Sequence, residues 1–247
     1  MFQEAIQNYL HSHHYSRIDL KAVLFDMDGV LFDSMKNHAV AWQEAMKQYG
    51  MHMTREEAYL HEGRTGAGTI NIISQRERGH QANEQEIKEI YKTKSDIFNA
   101  LSKAEPMEGA YEVLRKIKDE GIIPVIVTGS GQLSLLDKLN HYFPQIFKKE
   151  LMVTAFDVKY GKPNPEPYLM ALQKAHINAC EAIVVENAPL GVRAGVAAGI
   201  FTVALNTGPL PDKALLDEGA DLLFPSMQAF NESWDTLYQT FKNCHAG

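Results

Sequence analysis

Lys21-Ala22-Val23-Leu24-Phe25-Asp26-Met27-Asp28-Gly29-Val30 decides the fold of this 247-residue chain. Four consecutive apolar residues stop at a carboxylate, the pattern of a buried parallel strand that ends at a site. Residues i and i+2 of an extended chain project to one side, so Asp26 and Asp28 can reach one pocket, and Gly29 lets the chain turn at once. An Asp-x-Asp on its own is commonly a turn or a helix cap, so its meaning depends on the rest of the chain.

Short apolar runs recur at 122–127, 151–154, 182–185, 201–205 and 222–224. Helical patterns separate them at 108–120, 131–142, 165–176, 189–198 and 211–218, with Gly121 and Gly199 closing the first and fourth. This alternation predicts an α/β fold, a Rossmann-like parallel sheet with right-handed crossovers and helices on both faces. The interval 35–104 breaks the rhythm: it is polar, helix-prone and without a convincing strand. The expected organisation is therefore a core of 1–34 and 105–247 with an inserted helical cap over 35–104. Hinges are expected near 33–37 and 102–106 if the cap closes over the strand ends. Residues 2–12 carry Phe2, Ala5, Ile6, Tyr9 and Leu10 at helical spacing, a packing helix ahead of the first strand. His11, His13 and His14 have no further ligand types nearby and read as a solvated helix end.

With 24 basic and 31 acidic residues the net charge is −7, spread without long runs, so a nucleic-acid footprint is absent. An acidic protein that handles anionic substrates must supply local cations or a metal. Cys180 and Cys244 are too few for a disulfide framework or a thiolate zinc site and favour a reducing compartment. No apolar stretch approaches the roughly 20 residues that span a bilayer, and the first residues lack the apolar centre of a signal peptide. A cytoplasmic protein with no membrane partner is expected.

Polar groups suited to one reaction stand after successive strands. Thr128-Gly129-Ser130-Gly131 offers hydroxyls and backbone N–H groups at a helix N-terminus, an anion site. Lys162 in Tyr160-Gly161-Lys162-Pro163 offers a point charge, and Glu186-Asn187 offers oxygen ligands for a hard cation. Singly, these read as a loop and a solvated lysine. Their joint order at strand ends is what carries meaning.

In that order, Asp26-Met27-Asp28-Gly29-Val30, Thr128-Gly129-Ser130, Lys162-Pro163 and Glu186-Asn187 resemble the four motifs of the haloacid dehalogenase superfamily. Asp33-Ser34 followed by His38 and Trp42, with a helical cap after the first strand, is similar to the beta-phosphoglucomutase-like branch. Tyr59-Leu60-His61-Glu62-Gly63-Arg64-Thr65-Gly66 and Val185-Glu186-Asn187-Ala188-Pro189-Leu190-Gly191 further resemble inorganic pyrophosphatase of Bacteroides within that branch.

The resemblance implies that Asp26 attacks phosphorus to form an aspartyl-phosphate while Asp28 protonates the leaving oxygen and then activates water. Both roles suit carboxylates so spaced. It implies Mg2+ held by the Asp26 carboxylate, the Asp28 backbone carbonyl and Glu186-Asn187, with Thr128, Ser130 and Lys162 on the phosphoryl oxygens and Gly29 and Gly129 lining the substrate site. Many members of the family carry aspartate where this chain has Asn187, which should weaken magnesium binding unless another anion enters. Glu62, on the cap, is the expected anion. Arg64 and Lys94 are expected at the far phosphate or leaving group, His38 at Asp28 or the cap loop, and Trp42 in the cap core.

Gly63-Arg64-Thr65-Gly66-Ala67-Gly68-Thr69 lacks the Gly-Lys-Ser/Thr of a P-loop and comes after a helix-like segment, so neither a nucleotide loop nor a dinucleotide site is expected. Three functions fit the residues. The first is hydrolysis of a small phosphorylated substrate, pyrophosphate favoured; the second is a beta-phosphoglucomutase. The third is a silent binding protein on the same fold, with Asn187 its only support. A monomer is expected, as in similar small capped enzymes.

Overall fold

A computed structural model describes residues 2–101, 103–129 and 135–245. Five strands, β1 Ala22–Phe25, β2 Ile123–Ile126, β3 Ala182–Glu186, β4 Phe201–Leu205 and β5 Leu222–Phe224, form one parallel sheet in the order β2-β1-β3-β4-β5. β1 thus lies between β2 and β3, and Phe25 pairs with both Ile126 and Val185, which brings the ends of all three strands level. Continuous apolar runs are required here because both faces are covered. Val23, Phe25, Ile183, Val185, Phe201 and Val203 face one apolar cluster, while Ala22, Leu24, Ala182 and Val184 face another.

The first face is covered by α1 Phe2–His13, α6 Ala110–Asp119, α7 Leu135–Tyr142 and α11 Met227–Asn243, and the second by α8 Glu166–Ala175 and α9 Pro189–Ala197. α1 is a packing helix, as its pattern predicts: Ile6, Tyr9 and Leu10 are buried and the Tyr9 hydroxyl donates to the Gly199 carbonyl at 2.8 Å. His13 stacks on the Tyr15 ring and lies tilted against that of Tyr9. The short α10 Lys213–Leu216 lies in the 211–218 segment. No described helix is long and apolar enough to cross a membrane.

Two features differ from the sequence reading. Residues 151–154 make no strand: a 3-10 turn, Lys149–Leu151, leads into a single parallel bridge of Val153 with Val127. The apolar run is too short to extend the sheet beyond that one pair of hydrogen bonds, Val153 N to Ile126 O and Thr128 N to Val153 O. α11 was not expected, although Met227, Phe230, Trp234, Leu237 and Phe241 recur at helical spacing and are all buried.

Between β1 and α6 lie four helices, α2 Met35–Gln48, α3 Arg55–Leu60, α4 Gly66–Arg78 and α5 Glu84–Ala100, the inserted cap. The starts of α3, α4 and α5 are capped: Thr54 and Asn83 form capping boxes with Glu57 and Glu86, and the Thr65 hydroxyl accepts from Gly68 N. They share an apolar core that includes Trp42, Met46, Ile70, Ile73 and Ile90. The outgoing and returning chains run side by side, with Phe32 bridged to Pro106 and Asp33 N donating to Glu105 O at 2.9 Å. Ser102, in the second expected hinge, lies outside the described residues.

Candidate active site

The level ends of β1, β2 and β3 gather the expected motifs. Asp26, Asp28, Thr128, Lys162, Glu186 and Asn187 are all buried, as charged and polar groups are only when partnered or functional. Gly29 has φ +84°, and a Cβ there would stand 2.0 Å from Asn187 Nδ2, so only glycine lets the turn after Asp28 pass beneath the Asn187 amide. The Thr207 hydroxyl locks this turn by donating to Gly29 O at 2.6 Å.

Lys162 reaches in from the loop before α8 and binds three oxygens: Asp26 Oδ1 and Glu186 Oε1, both at 2.5 Å, and Val127 O at 3.1 Å. Burial works against its charge, yet the two carboxylates outweigh burial and raise its pKa. Burial pushes the Asp26 carboxyl up to about 7, with Lys162 pulling the other way and Glu186 adding to the rise. Glu186, expected among the metal ligands, has both oxygens engaged. Besides Lys162, Oε1 accepts from the Tyr168 hydroxyl at 2.6 Å, and Oε2 accepts from Asn187 N at 3.1 Å. It is the anchor of Lys162. A Cβ on Gly191 would fall 2.0 Å from its carboxyl, so α9 packs directly onto it. Tyr168 was missed, since nothing in an apolar helix pattern marks one tyrosine as a ligand of a buried glutamate.

Asp28 has different company. Its Oδ1 accepts from the Ser34 hydroxyl at 2.5 Å and faces His38 Nε2 at 3.4 Å. The Lys94 ammonium, a donor only, lies 2.8 Å from His38 Nδ1, so that nitrogen is the acceptor and Nε2 carries the hydrogen directed at Asp28. Burial alone would raise the Asp28 pKa; His38, Ser34 and Lys138 outweigh it and hold the carboxyl well below the usual range. Burial and Lys94 lower the pKa of His38, keeping the ring neutral. Ser34, buried at the start of α2, is a second residue to which the sequence assigned no role in the site.

Glu62 is half-buried in the turn after α3, and the cap is closed on the core beside it: a Cβ on Gly63 would stand 2.9 Å from Lys162 Cδ. Burial, then Asp28 and Asp26, push the Glu62 pKa well above the usual range, against Lys94 and Lys162. The expected cap carboxylate thus lies within electrostatic reach of both Asp26 and Asp28. A cavity of about 90 Å³ remains between Gly63 and Thr65 of the cap and Thr128, Gly129, Gly161 and Lys162 of the core. The Arg64 Nε is buried without a hydrogen-bond partner among the described residues, and burial, then the like charge of Arg193 on α9, lower its pKa. Ser130 lies outside the described residues.

Among the described residues no three His, Cys, Asp or Glu side chains are grouped to hold a metal. At the site, Asp26 Oδ2 and Asn187 Oδ1 are buried without a hydrogen-bond partner among the described residues. They are hard donors on adjacent strand ends, and with the Asp28 backbone carbonyl they suit a magnesium ion that completes its shell with water and substrate.

The chain belongs to the haloacid dehalogenase-like hydrolases, whose family model matches residues 23–205. A solved structure of a candidate beta-phosphoglucomutase from Bacteroides vulgatus is 67% identical, with a TM-score of 0.95 and 98% of each chain covered. Hexitol phosphatase A of Escherichia coli is 31% identical over 84% of this chain and 92% of its own length. The phosphorylated carbohydrates phosphatase of Thermotoga maritima is 30% identical over 86% of this chain and 97% of its own.

Proposed function

We propose that the chain is a magnesium-dependent phosphohydrolase that works through an aspartyl-phosphate on Asp26, with inorganic pyrophosphate or another compact phosphate compound as substrate. The observation that carries this reading is the convergence of Asp26 on Lys162 and of Asp28 on His38 and Lys94 beneath a closed cap.

An Asp26 carboxylate oxygen attacks phosphorus while the bond to the leaving oxygen breaks, and Asp28 supplies that oxygen's proton. Asp28 is an anion at rest, so this proton must reach it first; the His38 Nε2–H, backed by the Lys94 ammonium, provides the route. Water then attacks the aspartyl-phosphate, Asp28 takes its proton, and phosphate leaves Asp26. Lys162 holds Asp26 and offers its charge to the phosphoryl oxygens, with Thr128 alongside. Magnesium, held by Asp26, Asn187 and the Asp28 carbonyl, would neutralise phosphoryl charge when bound.

Two features support a compact substrate. The cavity beside the site measures only about 90 Å³. Glu62 brings a further carboxylate that a metal and a highly charged substrate would compensate. Mutase activity is the second reading, favoured by the description of the Bacteroides vulgatus neighbour; sugar-phosphate hydrolysis is favoured by the two phosphatase relatives. A phosphate-release screen with magnesium over pyrophosphate, sugar phosphates and nucleotides, beside a coupled assay for glucose 6-phosphate from beta-glucose 1-phosphate, separates them. Strong pyrophosphate turnover with negligible mutase signal is the expected result, and the reverse overturns the proposal.

A further inference from the structure

We propose that Lys138 is a substrate-binding residue, a cation carried by the core that holds the anionic leaving-group end of the substrate opposite Lys94 of the cap. This rests on the phosphohydrolase reading and adds to it a residue outside every motif recognised in the sequence. Lys138 lies on α7, one turn before Tyr142 and Phe143, whose rings pack on Phe32 at 5.5 and 5.4 Å. Its Nζ stands 3.9 Å from the Phe32 ring centroid. Phe32 belongs to the reacting loop: it bridges Asp28, and its carbonyl accepts from Gly29 N at 2.8 Å. The ammonium is therefore on the Asp28 side of the site, where the leaving group must be protonated, and it acts on both Asp28 and His38.

The charge balance calls for such a group. Asp26, Asp28, Glu62 and Glu186 supply four carboxylates, and Lys162 is taken up by two of them at 2.5 Å each. Lys94 is drawn on by Glu62 and Asp28. A leaving group that is itself a phosphate brings more negative charge to this side than Lys94 alone can offset. Among the described residues no carboxylate ion-pairs with Lys138, which is half-buried and held by a ring face. A cation–π contact is weak beside a charge-assisted bond to an anion, so little is lost when an anion draws the ammonium forward.

Lys138→Met keeps an unbranched stem over Phe32 and removes the charge, whereas Lys138→Arg keeps the charge. With magnesium, the Met variant should lose about tenfold or more in kcat/KM selectivity for pyrophosphate over p-nitrophenyl phosphate, whose leaving group is uncharged in the substrate, chiefly through KM. The Arg variant should recover most of it. Equal losses on both substrates, or none, overturn the proposal. In parallel, calorimetry compares methylenediphosphonate with methylphosphonate on the magnesium-loaded proteins. The diphosphonate preference should fall about tenfold in the Met variant, and an unchanged preference overturns the assignment. If the wild type hydrolyses neither substrate, the phosphohydrolase reading fails, while the diphosphonate ratio still decides the role of Lys138.

Discussion

The core and the cap each bring a buried lysine to the site and hold it by different means. Lys162 of the core is clamped between Asp26 and Glu186, with Tyr168 and Asn187 N behind the glutamate. Lys94 of the cap has no carboxylate partner among the described residues; it meets the His38 ring and the faces of Trp42, Tyr91 and Phe98 at 5.3, 6.0 and 5.0 Å. The difference separates a cation that belongs to the resting structure from one left available to a substrate anion. Ion pairing fixes the Asp26 carboxylate, whereas an aromatic cage keeps a charge dry without neutralising it.

Replacing Asp26, the proposed nucleophile, should give the largest effect. Asp26→Asn should abolish turnover, at least about a thousandfold in kcat, while leaving the fold intact, as read by single-turnover phosphate release and circular dichroism. Lys162→Met tests the clamp. It leaves Asp26 and Glu186 buried without a counter-ion, so urea unfolding should show a loss of about 3–5 kcal/mol together with loss of activity. A variant that melts like the wild type would break the contrast between the two lysines. Lys94→Met should leave thermal stability near that of the wild type and reduce kcat/KM by about 10–100-fold. Glu62→Gln should raise the magnesium concentration needed for half-maximal activity several-fold. Unchanged magnesium dependence would remove Glu62 from the metal's surroundings.

Asp221 supplies the smallest and most sharply contrasting test, a partly buried carboxylate that pairs with no lysine among the described residues. Burial pushes it up to about 7, against the Thr202 N–H that it accepts at 2.7 Å. The unfolded carboxyl releases its proton near pH 4, before the folded one does, so this group makes stability fall as pH climbs from about 4 to about 7. Asp221→Asn keeps an acceptor for Thr202, and at pH 8 it should be more stable by roughly 1 kcal/mol, with no gain at pH 3. Thermal melts at the two pH values read the difference.

The sequence by itself determined the parallel sheet, the inserted helices and the positions of Asp26, Asp28, Thr128, Lys162 and Asn187, because strands covered on both faces must be unbroken apolar runs and the polar residues that interrupt them stand at their ends. It did not determine the edge at Val153 or the roles of Ser34, Tyr168 and Lys138. A run of four apolar residues is equally compatible with a strand or a turn, and a lone hydroxyl or amine acquires its role from neighbours distant in sequence. Only the tertiary structure decided that Glu186 pairs with Lys162, that the charge of Arg193 acts on Arg64, and that Lys94 meets Asp28 through His38. These outcomes turn on distances of a few ångströms between groups as far apart in the chain as Lys162 and Asp26. Hydrogen bonds and ion pairs act at that range, and spacing along a sequence does not record it.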